Sequence, residues 1–259
     1  METTFNHRTF TFVTPSGYQV VIREQNGEDD DILSNPVEAQ NMMNLSRFIS
    51  SIIVECNYFE GKKTITPQEA QLLPALDRYC ILFQSRKFSL GNTVDFVYDW
   101  GQENGGKVEY SQELDDFLFN YAELPTEEEV KAKPNAIPFY PRGGQFKDLE
   151  FTTTYGNRFR FDLMNAKGEA YILELPLDQR TKNKELVARN LRMLVDDKWD
   201  RVTNFRMFSV KEMREIRAEI FGNDPVFYGI TEIENPNVPG QKAEVSIVAL
   251  KDFFYPGEM

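Results

Sequence analysis

Few side chains in this sequence combine the type and the spacing that chemistry requires. Acid–base work at neutral pH most often uses histidine, and the chain has one, His7, beside the N-terminus. Ser-His-Asp and Cys-His systems thus have a single candidate base and no partner at a usable spacing. Cys56 and Cys80 lie in apolar helical patterns without CxxC spacing. Two distant thiols and one imidazole complete no tetrahedral zinc set; they read as buried free thiols of a reducing compartment. No GxSxG or GxGxxG occurs. Gly101 to Lys107 fits GxxxxGK, the opening of a phosphate loop. Val108 stands where the magnesium-binding hydroxyl belongs, however, and the segment leads into a strand where such a loop needs a helix N-terminus. The acidic run Glu28-Asp29-Asp30-Asp31 lacks EF-hand spacing and the closing glutamate, so it reads as the solvated start of a helix. No catalytic, cofactor or metal site is expected. The 41 acidic residues leave one enzymatic alternative, a carboxylate-based hydrolase of the glycosidase type.

Bulk properties narrow the partners. Net charge is −12, and such a chain is poorly suited to phosphate backbones, which need clustered Lys and Arg. The basic groups Arg78-Arg86-Lys87 and Arg189-Arg192 are spaced as helix faces, so no nucleic-acid partner is expected. No apolar run approaches membrane-helix length and the start METTFNHRTF has no signal-peptide core, which points to a cytoplasm and to no membrane. With 41% apolar residues, 21 Phe and 11 Tyr, a core can be buried.

The elements that would position any site follow from periodicity. Residues 8–24 alternate around Pro15-Ser16-Gly17 as a hairpin. Residues 36–58 carry Met42, Leu45, Phe48, Ile49, Ile52, Ile53 and Cys56 as one helical stripe. Thr66-Pro67-x-Glu69 restarts a helix. Pro74 to Trp100 then reads as helix, glycine stop and half-buried strand: Leu76, Tyr79, Cys80 and Phe83 share one face, with Asp77, Arg78, Gln84 and Arg86 opposite. Val108 and Tyr110 return the strand, and 111–123 continue as a short acidic helix. Arg78 and Arg86 are either solvated helix charges or buried anchors for Asp95 and Asp99.

Residues 124–145 carry four prolines, Glu127-Glu128-Glu129 and Gly143-Gly144, which predicts a linker or a partner-binding arm that includes Tyr140. The plan then repeats. Residues 149–163 alternate around Gly156-Asn157, Tyr171, Leu173 and Leu175 suggest a third strand, and Leu186 to Val195 form a helical stripe. Ser209-x-x-Glu212 caps the next helix. Strands follow at Val226–Ile230 and 243–250. The expected fold is α+β, two sister units of hairpin–helix–helix–hairpin: 1–123, a linker or arm at 124–145, and 146–259.

The run Leu76-Asp77-Arg78-Tyr79 … Leu82-Phe83-x-x-Arg86-x-x-Ser89-x-Gly91 … Phe96-x-Tyr98 resembles a pattern in baseplate hub assembly proteins of T-even-type contractile-tailed phages. Arg214-x-x-Arg217 … Asn223-Asp224-Pro225 and the ending Asp252-Phe253-Phe254-Tyr255-Pro256 are similar to their C-terminal part. The resemblance spans about Tyr18 to Pro256 in short, degenerate motifs. Phage tail proteins of this kind often carry CxxC pairs in hairpin turns, whereas the turns here read Asp99-Trp100-Gly101-Gln102 and Glu232-Ile233-Glu234-Asn235-Pro236. Packing of Tyr98 and Trp100 would have to replace any such zinc.

What the resemblance implies is a non-enzymatic role in viral tail assembly, as chaperone or as structural baseplate component. Its partners would be other tail and baseplate proteins, with self-association as a further option, in the host cytoplasm and, if retained, in the virion. The expected contact residues are Phe253, Phe254, Tyr255, Arg78, Arg86 and Tyr140. Terminal aromatics serve as core or as interface hot spots, and hairpin edges accept partner strands. The other alternative is an acidic binding protein such as a DNA mimic, which needs carboxylates arrayed along one face.

Overall fold

A computed structural model describes residues 8–39, 42–117, 149–225, 227 and 229–254, with the isolated positions 128, 132 and 137. His7, Tyr140 and Tyr255 lie outside the described residues, as does the 124–145 segment but for those three positions. Of these, Ile137 is buried in the core and donates to Phe117 O (2.6 Å).

The fold is mixed α+β with two similar units. In the first, strands β1 (Thr9–Val13) and β2 (Gln19–Arg23) form the expected hairpin, turning Phe12, Val20 and Ile22 inward. Helices α1 (Gly27–Leu33), α2 (Pro36–Ala39) and α3 (Met43–Ile52) follow. Strand β3 (Ile53–Cys56) then joins β2, giving the order β1-β2-β3. After α4 (Pro67–Ala70) come the long helix α5 (Ala75–Leu90) and the hairpin β4 (Thr93–Asp99)–β5 (Lys107–Glu113). The second unit runs β6 (Leu149–Thr152), β7 (Arg158–Phe161), α6 (Ala166–Glu174), α7 (Lys182–Ala188), β8 (Arg192–Val195) and β9 (Lys198–Arg201). It ends in α8 (Val210–Asn223), the hairpin β10 (Ile230–Glu234)–β11 (Lys242–Ser246) and α9 (Lys251–Phe254). Its sheet has the order β6-β7-β8-β9.

The duplication is written in matching hydrogen bonds. In the first hairpin Thr14 N donates to Tyr18 O and Gly17 N to Thr14 O; in the second, Thr153 N donates to Asn157 O and Gly156 N to Thr153 O. Gly17 and Gly156 both adopt positive φ, +80° and +84°, which a side chain resists. Asn26 caps α1 and Asn165 caps α6 with nearly the same φ, −137° and −139°. One sequence separation relates all of these pairs, and β3 to β8. The closing hairpins match as well: Trp100 N donates to Gly106 O and Asn235 N to Gln241 O, with Asp99 opposite Lys107 and Glu234 opposite Lys242.

Several expected elements are corrected. The helix foreseen over 36–58 ends at Ile52, because Ile53–Cys56 extend the first sheet. Tyr171 and Leu173 lie in a helix, α6, in place of a third strand. The helical stripe 186–195 is the end of α7 plus β8. Ser111–Glu113 belong to β5, with a 3-10 turn at Leu114–Asp116 after it. The last hairpin starts at Ile230, and β11 stops at Ser246.

Two cores result. The smaller holds Phe159, Phe161, Leu186, Leu191, Met213, Ile216 and Ile220, all between 149 and 223. The larger centres on Phe83, whose ring meets Phe117, Phe227 and Phe253 at 5.2–5.7 Å between centroids. The expected 146–259 unit is therefore divided: Phe227, Ile233, Val245, Ile247 and Phe253 pack into the larger core. Helix α5 also departs from its expected wet face, because both units cover it; Asp77, Arg78, Ser85 and Arg86 are buried with Leu76, Cys80 and Phe83.

Candidate functional site

Four of the six expected contact residues, Phe253, Phe254, Arg78 and Arg86, are described, and each packs against other parts of the chain. Phe253 is fully buried and Phe254 packs edge-on against Phe48, so both are core groups. Arg86 is 1% exposed and donates to Gly91 O (2.8 Å) and Thr93 O (3.0 Å), closing the turn from α5 into β4. Arg78, 3% exposed, pairs with Glu169 of α6 (3.0 Å) and donates weakly to Ser46. Both arginines are anchors, as one reading had it, but Asp95 and Asp99 make no hydrogen bond to either.

The acidic run opens α1 as expected, yet Asp29 is buried. Burial alone would raise its pKa; the two-pronged bond from Arg23 (2.6 and 2.8 Å), with donors Asn26 N and Ser51, brings it below the ordinary value. The GxxxxGK segment forms the β4–β5 turn. A Cβ on Gly105 would come within 2.3 Å of Asn237, so this glycine serves the contact between the two closing hairpins. The same contact contains a relay: Trp100 Nε1 donates to Tyr110 Oη (2.8 Å), which donates to Glu234 O (2.9 Å).

The two units also meet around a cavity of about 270 Å³. Met42, Ala75, Leu76 and Tyr79 wall it from the first unit; Met164, Glu169, Ile172, Leu173, Glu185, Arg189, Asp224, Pro225 and Phe227 wall it from the second. The helix starts set this geometry. Pro74 bridges Asn165, and Ala75 N donates to Met164 O (2.7 Å), which places the first turn of α5 against the first turn of α6. Gly168 allows α6 to lie on α7, since a Cβ there would be 3.0 Å from Ala188 O.

Two ion-pair systems floor the cavity. Glu169 accepts from Arg78 Nη1 and from Tyr79 Oη (3.3 Å), and burial pushes its carboxyl above the usual range despite Arg78. Asp224 Oδ2 accepts from Arg189 Nε (2.5 Å) and Met164 N (2.8 Å); Glu185 stands 3.8 Å from Arg189. The first unit has serines at the matching positions. Gln25 N donates to Ser89 Oγ (2.9 Å) where Met164 N donates to Asp224, and Ser50 corresponds to Arg189. A polar contact in one copy has become a buried charge pair in the other. Sequence reasoning missed Glu169 and Glu185 altogether. The serine-to-charge exchange was a usable signal, but only once the copies are in register.

Among the described residues no group of three or more His, Cys, Asp or Glu is placed to hold a metal ion, and no helix is long and apolar enough to cross a membrane. Comparison with protein-family models, with curated proteins and with solved structures gives no match to this chain.

Proposed function

We propose that this chain is a non-enzymatic assembly protein acting through protein–protein contacts, of the kind implied by the resemblance to T-even baseplate hub assembly proteins. The observation that carries this reading is the state of the junction cavity. Its carboxylates Glu169 and Asp224 are already committed to Arg78, Tyr79, Arg189 and a backbone amide, while most of its wall is apolar. A general acid–base pair must instead reach the proton it moves. A mostly apolar hollow whose Glu169 and Asp224 are already paired suits a side chain from a partner.

The acidic-mimic alternative draws less support from the surface. Arg160, Arg192 and Arg201 are paired directly across β7, β8 and β9, and Arg158 and Arg160 flank the Trp199 ring at 5.9 Å. Such a row interrupts any array of carboxylates.

Affinity capture tests the proposal. The tagged full chain, co-expressed with tail hub and baseplate subunits of a contractile-tailed phage, should retain at least one of them at fixed stoichiometry. Recovery of the chain alone in every combination would overturn the reading.

A further inference from the structure

The junction cavity has a size, a charge and an open valence that together define an occupant. At about 270 Å³ it exceeds the ~150 Å³ that holds a benzene ring and falls below the ~300–1,000 Å³ of pockets for drug-sized ligands. One large side chain with its peptide unit fits that interval. Leu76, Tyr79, Ile172 and Phe227 offer an apolar wall.

Among the described residues, three carboxylates line the cavity against the guanidinium of Arg189, and Arg78 behind the wall neutralises one more. The balance is one negative charge. It is most accessible at Glu185, whose side chain is 31% exposed and too far from Arg189, at 3.8 Å, for a hydrogen bond. Arg189 itself is 1% exposed. Its Nε serves Asp224 and its Nη1 reaches Glu185 O, whereas Nη2 makes no hydrogen bond among the described residues. A guanidinium nitrogen with a hydrogen left to donate can be met by a neutral acceptor such as a peptide carbonyl; a ligand carboxylate would face the surrounding excess of negative charge.

We propose that this cavity docks one large apolar side chain, of the leucine, methionine or phenylalanine type, from a lysine- or arginine-flanked segment of a partner protein. The carbonyl beside that side chain accepts from Arg189 Nη2, and the flanking cation faces Glu185. Both units wall the cavity, so the occupant bridges them. This inference rests on the reading of the chain as a protein-binding assembly factor.

Fluorescence anisotropy on the full chain tests it with the labelled pentapeptide Lys-Lys-Phe-Lys-Lys, against Glu-Glu-Phe-Glu-Glu and Lys-Lys-Gly-Lys-Lys. The first should bind saturably and the other two at least tenfold more weakly. Leu173→Trp, at an exposed rim position, should weaken the first peptide at least tenfold while leaving the melting temperature unchanged, and Glu185→Gln, which removes the charge without setting a cation against Arg189, should weaken it at least tenfold as well. Equal binding of the glycine peptide, unchanged binding by both variants, or no binding at millimolar peptide would each overturn the proposal. Capture of tail subunits by the same variants separates the two readings. If both variants retain a captured subunit as well as the wild type does, the cavity is not its dock while the assembly role stands. If the wild type captures none, the assembly role fails whatever the peptides do.

Discussion

Asp77 and Glu212 occupy the same position, third in their helices, and each closes the hairpin turn of its own unit. Asp77 accepts from Thr14 Oγ1 (3.1 Å), Ser16 N (2.9 Å) and Tyr58 Oη (2.8 Å). Glu212 accepts from Thr153 Oγ1 (2.9 Å) and Asn157 Nδ2 (2.7 Å). Both carboxylates sit in the first helical turn, where the helix dipole favours negative charge. The device ties the first hairpin of each unit to its longest helix, across about 60 residues of sequence in both copies.

Asp77 makes stability depend on pH in a defined direction. Burial, the largest influence, pushes its carboxyl up to about 6 against the donors that hold it down. Between about pH 4 and 6 the folded chain keeps a proton that the unfolded chain has released, so this group's contribution falls as pH rises through that window. The difference corresponds to about 3 kcal/mol. Asp77→Asn removes the titration. Urea unfolding of wild type and variant should therefore show a larger cost of the substitution at pH 4 than at pH 7, by about that amount. Equal costs at both pH values would mean that the carboxyl titrates normally.

The buried pair of Arg189 and Asp224 predicts a strongly non-additive cycle. Removing one partner of a buried pair leaves an uncompensated charge and costs about 3–5 kcal/mol. Arg189→Ser and Asp224→Ser each restore the residue of the first unit, where serines suffice. Each single change should cost that much by chemical denaturation, and the double change should cost clearly less than their sum. Additive costs would show that the two side chains act independently.

The fold was legible where its periods were clean, and illegible where burial came from afar. Hairpins at 9–23 and 149–161 follow strict alternation, and the repeated order of elements survives low identity between the halves. Strand β3 escaped because only its ends, Ile53 and Cys56, face inward, with a register shift at Val21/Ile22 opposite. Residues three apart look helical. Helix α6 was misread because its buried residues are Ala166 and Gly168, while the apolar Leu173 is exposed. The burial of Arg78 could not be seen from α5 alone, since its partner Glu169 lies 91 residues on. The site was less legible than the fold for the same reason: its charges meet only when the two units pack.

Tyr110→Phe should loosen the contact between the closing hairpins. The substitution deletes the acceptor of Trp100 Nε1 and the donor to Glu234 O in one step. Leaving a buried donor without a partner costs about 1–3 kcal/mol. Trp100 is 8% exposed, so its fluorescence should shift to the red at native conditions if the hairpins part. In a Trp199→Phe background the signal comes from Trp100 alone. Unchanged stability and emission would mean that ring packing of Tyr98 on Trp100, at 4.8 Å, suffices without the relay.

Gly105 carries the most severe local constraint at that contact. Its φ is +97°, a conformation that costs an L-residue about 1–2 kcal/mol, and a Cβ would lie 2.3 Å from Asn237 Nδ2 and 2.8 Å from its Cβ. The rotation of one amide relieves the first clash but not the second, so the β10–β11 turn has to retreat. Gly106, at φ +72° with nothing within 4 Å, carries the backbone cost without the clash. Gly105→Ala should therefore destabilise the chain by more than Gly106→Ala, and hydrogen exchange at Asn235 N, bonded to Gln241 O within the neighbouring turn, should accelerate only in the former. Equal costs and equal exchange in the two variants would reduce Gly105 to an ordinary turn glycine and remove the reason for a glycine at this point of the phosphate-loop lookalike.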